Sequence, residues 1–197
     1  MPTEVHDCHQ DWIGMEFDNM LAQSFLTAAE KRVLRTRVGT TFEGFYQGPY
    51  SLSSMEPDLC LRPDTQAKPT IAIESGWSES WPHLHNDMKV WLTGGAPVVR
   101  LVILLRWYKL VGNPKRVRGV VDVFERNAAG IPTLIQNESI FPRPAAAAPQ
   151  RIPVSRGQLF GTAIFPNRNA NDIFQLSIDE LRQAAIPCIQ AMGYVPA

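Results

Sequence analysis

Two nearly uninterrupted apolar runs, Thr70–Glu74 (TIAIE) and Val98–Trp107 (VVRLVILLRW), constrain the fold of this chain more than any other feature. Their length and their content of valine, isoleucine and leucine suit strands buried in the middle of a sheet. The segment between them has helical spacing. Trp81, Leu84, Met88, Trp91 and Leu92 fall on one face, and Ser78 or Ser80 is placed to cap it. Pro82 fits the first turn, where its missing N–H is no loss, and Gly94-Gly95 ends the helix. Upstream, Glu56–Arg62 (EPDLCLR) alternates in its second half and stops at the Pro63-Asp64 turn signal. The expectation is one mixed sheet holding all three strands, with the helix of Ser80–Thr93 packed on it.

The rest of the chain reads less sharply. Residues 1–10 are expected to be a flexible tail, and the start, MPTEVHDCHQDW, has no basic opening followed by an apolar core, so no signal peptide is expected. Trp12–Leu34 carries apolar residues at mixed helical spacing, and Thr27 is a candidate N-cap for a second helix over Ala28–Arg35. Thr36–Tyr46 has strand-forming residues before the break at Gly48-Pro49. Gly119–Glu125 and Thr133–Phe141 read as an additional β-hairpin turning at Asn127–Gly130. Residues 142–153, with four alanines among prolines, read as an extended loop. Gln158–Phe165 is expected to be a last strand. Ser177–Met192 is expected to be a helix capped by Ser177, with Glu180 at the capping-box position, Gly193 after it, and Pro187 kinking it or ending it early.

With 197 residues, 45% of them hydrophobic and 19% charged, the chain suits a single folded α/β (α+β) domain over residues 1–197. Three scattered cysteines do not make a disulfide framework, which points to a reducing, intracellular compartment, cytoplasmic or nuclear. The most apolar stretch, Val98–Leu105, is too short to span a bilayer, so no membrane is expected. Lysine plus arginine equals aspartate plus glutamate at 19 each, which argues against a general nucleic-acid coat but leaves room for a local basic surface. Arg100, Arg106, Lys109, Lys115, Arg116 and Arg118 do cluster. A solvated hairpin rim is the ordinary explanation of such a run. Homo-oligomerisation is left open.

The residues with chemical potential are acidic. Glu56 and Asp58 point to one side of their strand, and Glu74 ends the next apolar strand, where a carboxylate is costly to bury unpaired. If the strands are neighbours, Asp58 and Glu74 converge on one hard cation such as Mg²⁺ or Mn²⁺, with Glu56 assisting. The plainer alternatives are Asp58 at a solvated strand end and Glu74 paired with Arg100. Two histidine groups are weaker candidates. His83 and Asp87 lie four apart on the helix with His85 nearby, a spacing that suits a transition metal or an ordinary surface pair. His6, Cys8 and His9 are ligand-like but lack a fourth ligand at zinc spacing.

Pro57-Asp58, then Glu74-Ser75-Gly76, then a helix and a strand, resembles the PD-(D/E)xK phosphodiesterase core. The stretch Glu56–Leu105, about the middle quarter of the chain, is also similar to a large group of uncharacterised fungal proteins and, more distantly, to bacterial proteins of restriction-endonuclease type. The resemblance implies a restriction-endonuclease-like mixed central sheet flanked by helices. It also implies a metal-dependent phosphodiesterase acting on nucleic acid, with Asp58, Glu74 and a lysine in the site. Gly76 stands where that lysine belongs, and Lys89 on the following helix is the candidate to replace it. The alternative is a nuclease scaffold that has lost its chemistry and binds nucleic acid or a protein partner.

Overall fold

The computed structural model describes residues 3–45, 48–145 and 148–197. Among these residues the main sheet has seven strands. β1 (Leu34–Arg37), β2 (Leu59–Pro63) and β3 (Ile71–Trp77) form an antiparallel meander. β4 (Leu101–Leu110) then pairs with β3 in parallel, from Ile71 opposite Leu101 to Trp77 opposite Trp107. Parallel neighbours need a crossover, and the intervening helix supplies it. β5 (Arg116–Arg126) and β6 (Pro132–Phe141) continue the sheet as the expected antiparallel hairpin. β7 (Arg151–Ser155) and β8 (Ile173–Ser177) form a separate two-stranded sheet, and β9 (Val195–Pro196) lies parallel to the start of β5. The architecture is mixed α/β, and the three central segments share one sheet as expected.

Alternation along the strands divides the core in two. Ile71, Ile73, Leu101, Ile103, Leu105 and Trp107 pack on one face. There they meet α1 (Glu4–Asp7), α2 (His9–Ala22) and α6 (Ile178–Ala191). Cys60, Ala72, Val102 and Leu104 pack on the other face beneath α4 (Trp81–Lys89), together with Leu84, Met88, Trp91 and Phe45. α4 opens without a side-chain cap, because Ser80 Oγ donates back to the Trp77 carbonyl at 2.7 Å. It widens into a π turn over Val90–Gly94, closed by Gly95 N–H on the Val90 carbonyl at 3.1 Å. Arg126 ties off that end by donating to the carbonyls of Leu92 and Val99.

Several outlying segments differ from the sequence reading. The expected tail is helical from Glu4, and Val5, Cys8 and His9 are buried; Met1 and Pro2 lie outside the described residues. The expected strand Thr36–Tyr46 is shifted: β1 ends at Arg37, Phe42 makes an isolated bridge with Met55, and Tyr46 is outside the described residues. The expected loop over residues 142–153, in which Ala146 and Ala147 are not described, gives way to β7 at Arg151. Gln158–Phe165 is not a strand. A capping box joins Ser155 to Gln158 and starts α5 (Arg156–Phe160), and turns follow it. α3 (Ala28–Val33) does start at Thr27, with a full capping box to Glu30. α6 continues past Pro187 to Ala191 and does not end early; Pro187 and Gln183, whose carbonyl loses its donor, lie on the exposed face. Among the described residues no helix is long and apolar enough to cross a membrane.

Candidate functional site

The register that pairs Leu59 with Ile73 puts Asp58, one step earlier, opposite Glu74. Cys60 and Ala72, two residues along each strand, lie in the core under α4, so both acids share that face. They are tied together through the main chain. Ser75 N–H donates to Asp58 Oδ2 at 2.7 Å, and Asp58 N–H donates to Glu74 Oε2 at 3.4 Å. Trp91 Nε1–H donates to Glu74 Oε1 at 2.6 Å. Glu74 is only 5% exposed. Arg100 immediately precedes β4, where its N–H donates to the Thr70 carbonyl, and it does not pair with Glu74, whose partner in register is Leu104.

The two acids open onto a cleft of about 440 Å³, lined also by Glu56, His6, His83 and Asp87. Glu56 accepts a hydrogen bond from Thr41 Oγ1 at 3.2 Å. Burial pushes the Glu74 carboxyl well above its usual range, and the charges of Asp58 and Asp87 push it further against the Trp91 hydrogen bond. Asp87 is raised by burial too; His83 opposes that rise and Asp58 adds to it. The charge of Asp58 therefore disfavours ionisation of both Glu74 and Asp87 across a solvent-open cleft, and that of Asp87 disfavours ionisation of Glu74.

The N-terminal helices contribute a residue that the sequence reading did not place. His6 Nε2 lies 3.5 Å from Asp58 Oδ2, and His6 Nδ1 is 2.7 Å from Asp7 Oδ1. His9 is fully buried behind it, with Nδ1–H donating to the His6 carbonyl at 2.8 Å. Burial lowers the pKa of His9, with Asp58 opposing. Its Nε2 is buried with no hydrogen-bond partner among the described residues. Only the clustering of His6, Cys8 and His9 hinted at this role, and the three do not form one site: Cys8 is buried, and its thiol is pushed up by that burial.

Lys89 is exposed on the opposite flank of α4 and does not line the cleft. It sits near His85, whose pKa is lowered by burial first and by Lys89 second. His85 also parts from His83 and Asp87; it packs edge-to-face with Trp81, ring centroids 4.4 Å apart, and with Phe124 at 5.4 Å. Among the described residues the basic side chains lining the cleft are His6 and His83.

Gly76 explains why no longer side chain occupies its position. A Cβ there would come 2.2 Å from Ser80 Oγ and 3.1 Å from Leu84 Cδ1. Gly76→Ala is expected to cost about 1–3 kcal/mol through overpacking. Adding Ser80→Gly should return at least half of that in thermal melts. Equal losses in the single and double variants would show that Ser80 is not the obstacle.

Among the described residues no three His, Cys, Asp or Glu side chains gather in a metal-holding group. That donor set does not fit zinc, which takes three or four protein ligands. It fits a hard cation that takes one or two carboxylates and keeps several waters. Comparison with protein-family models, curated proteins and solved structures yields no match for this chain.

Proposed function

We propose that the chain is a phosphodiesterase of the restriction-endonuclease-like fold, acting on nucleic acid with Mg²⁺ or Mn²⁺ held by Asp58 and Glu74. The observation that carries this reading is the cross-strand placement of the two carboxylates on one face, at the mouth of an open cleft, next to a third carboxylate. Such crowding raises the energy of the charged acids, and a divalent cation relieves it. The order of elements supports the fold: an acid before one strand, an acid in the next, then a crossover helix and a parallel strand.

When bound, the cation supplies a Lewis acid and a water of lowered pKa. The chain's own groups hold the acids in place. The Ser75 amide fixes Asp58, and the Trp91 indole fixes Glu74. Glu56 and Asp87 add negative charge at the rim, and His6, oriented by Asp7, is the basic side chain nearest the pair. Lys89, facing away, is not needed in this scheme.

One observation favours the second reading, a scaffold that binds but does not cleave: the lysine position is Gly76, closed off by Ser80 and Leu84. Calorimetric titration with Mg²⁺ and Mn²⁺, paired with cleavage assays on single- and double-stranded substrates, separates the two. The expected result is one binding event per chain, weakened at least tenfold by Asp58→Asn, together with cleavage. Cation or nucleic-acid binding without cleavage selects the second reading. No cation binding at all makes both acids structural.

A further inference from the structure

The β4–β5 hairpin outruns its neighbours. β3 ends at Trp77 opposite Trp107, and β6 ends at Phe141 opposite Gly119. Residues 108–118 therefore extend past both neighbours as an arm that is two-stranded except where short β9 pairs with Arg116 and Val117. From Arg106 to Arg118 the sequence has five basic residues and no acid, so the rest of this formally neutral chain is net acidic. Arg106 is paired with Asp122 at 3.3 Å. Lys109, Lys115, Arg116 and Arg118 are exposed, and none has a carboxylate partner among the described residues.

These four cations occupy both faces of the arm. Lys109 Nζ lies 4.4 Å over Trp77 and Lys115 Nζ 5.9 Å over Tyr194, two rings that belong to the core on the α2 and α6 side. Arg118 lies 5.7 Å over Tyr108, whose other neighbour, Arg106, covers Trp81 on the α4 side at 3.7 Å. Arg116 shares the Arg118 face by alternation. The rings thus support the cations, and none of them is bare as a platform for stacking unpaired bases would be. A flat anionic surface would meet the cations of one face alone. A groove with a phosphate wall on each side meets both. A two-stranded ribbon fits the major groove of B-form DNA, about 12 Å wide, whereas the A-form major groove is too narrow. At the tip, Leu110 is partly exposed and Val111 fully so, which suits apolar contact with base edges.

We infer that the β4–β5 arm is a docking element for duplex DNA, with Lys109 and Lys115 facing one phosphate backbone and Arg116 and Arg118 the other. The identity of this ligand rests on the phosphodiesterase reading above, which it deepens by naming a duplex as the substrate. Arg116 and Arg118 also lie on the sheet face that carries Asp58 and Glu74.

The test is fluorescence anisotropy with a labelled 20-bp DNA duplex in EDTA, at 50 to 200 mM salt. Four phosphate contacts predict a log–log salt slope of about −3.6, hence an affinity loss of about a hundredfold across that range. Lys109→Ala/Lys115→Ala and Arg116→Ala/Arg118→Ala should each flatten the slope by about 1.8, with unchanged melting temperatures, since all four side chains are exposed. The inference is overturned by tighter binding to single-stranded DNA or to an RNA duplex. It is overturned equally by capture on phosphatidylserine vesicles without DNA binding, or by dependence on Arg32, Arg35 and Arg37 in the groove beside β1 in place of the arm. Because EDTA removes the cation, binding without cleavage in Mg²⁺ upholds the arm and rejects the phosphodiesterase. Cleavage that survives loss of the four arm charges does the reverse.

Discussion

Arg156→Met is expected to destabilise the fold by about 3–5 kcal/mol, the usual loss when one partner of a buried ion pair is removed. For a chain of this size that is a fall of about 10 °C in melting temperature. The Arg156 side chain is 2% exposed and that of Glu30 1%. Arg156 Nη1 donates to Glu30 Oε1 at 2.5 Å, Nη2 to the Phe25 carbonyl at 2.6 Å, and Nε to Asp172 Oδ2 at 3.4 Å. The other oxygen of Glu30 accepts from Thr27 N–H at 2.8 Å and from Arg168 at 3.0 Å. One carboxylate therefore closes the cap of α3 and holds the first residue of α5 and the loop before β8 against it. Methionine keeps much of the volume of Arg156 but leaves Glu30 with half its charge compensation. Glu30→Gln should cost a similar amount, and the double variant clearly less than the sum, because each single change strands the other partner. Additive losses, within about 0.5 kcal/mol, would show that the two residues act through packing alone.

The same cluster illustrates what sequence carries and what it does not. The cap at Thr27 is legible because it is local: the hydroxyl and Glu30 are three residues apart, and the bonding rule is fixed by helix geometry. The pairing of Glu30 with Arg156 spans 126 positions and has no local signature. The β3–α4–β4 unit was legible for the first reason. Its strands open on apolar runs, Ile71–Ile73 and Leu101–Leu105, and its helix keeps a 3.6-residue period, so each element declares its own burial. That also fixed the side of the sheet on which Asp58 and Glu74 lie, since alternation allows no choice once the strands pair. His6 was not legible as part of the cleft. The helices that carry it use Val5, Cys8, His9 and Trp12 as their buried face, and the polar letter among them, His9, conceals the apolar period. Gln158–Phe165 misled because Leu159, Phe160, Ile164 and Phe165 suit a strand as well as a turn of helix. The Ser155–Gln158 capping box was the signal that decided it. Lys89 had the right type and distance in sequence, but position on a helix is angular, and its angle carries it to the flank of His85.

Glu74→Gln is expected to raise the melting temperature at pH 8 and, if the proposed phosphodiesterase reading holds, to abolish cleavage. Burial and the charge of Asp58 hold the Glu74 carboxyl well above its ordinary value of 4.5, so the folded chain binds that proton more tightly than the unfolded chain does. Between the unfolded and folded values the native state carries the extra proton, and stability falls as pH rises through that window. Glutamine does not titrate and escapes the fall. It keeps an oxygen for the Trp91 indole and gives up the weak 3.4 Å contact with the Asp58 amide. The variant's advantage should therefore be smallest at pH 5 and grow to at least about 3 °C at pH 8, equivalent to about 1 kcal/mol in a chain this size. Mg²⁺ should raise the wild-type melting temperature at pH 8, because it binds the ionised pair in the native state alone. The variant, with one carboxylate left, should respond at least tenfold more weakly to the same concentration. Melting curves at pH 5, 6.5 and 8, with and without Mg²⁺, read both effects without any substrate. A variant less stable than the wild type at every pH would mean that the Glu74 charge is compensated in the fold. A pH-dependent gain with no response of the wild type to Mg²⁺ would keep the crowding of the carboxylates and remove the cation from the cleft.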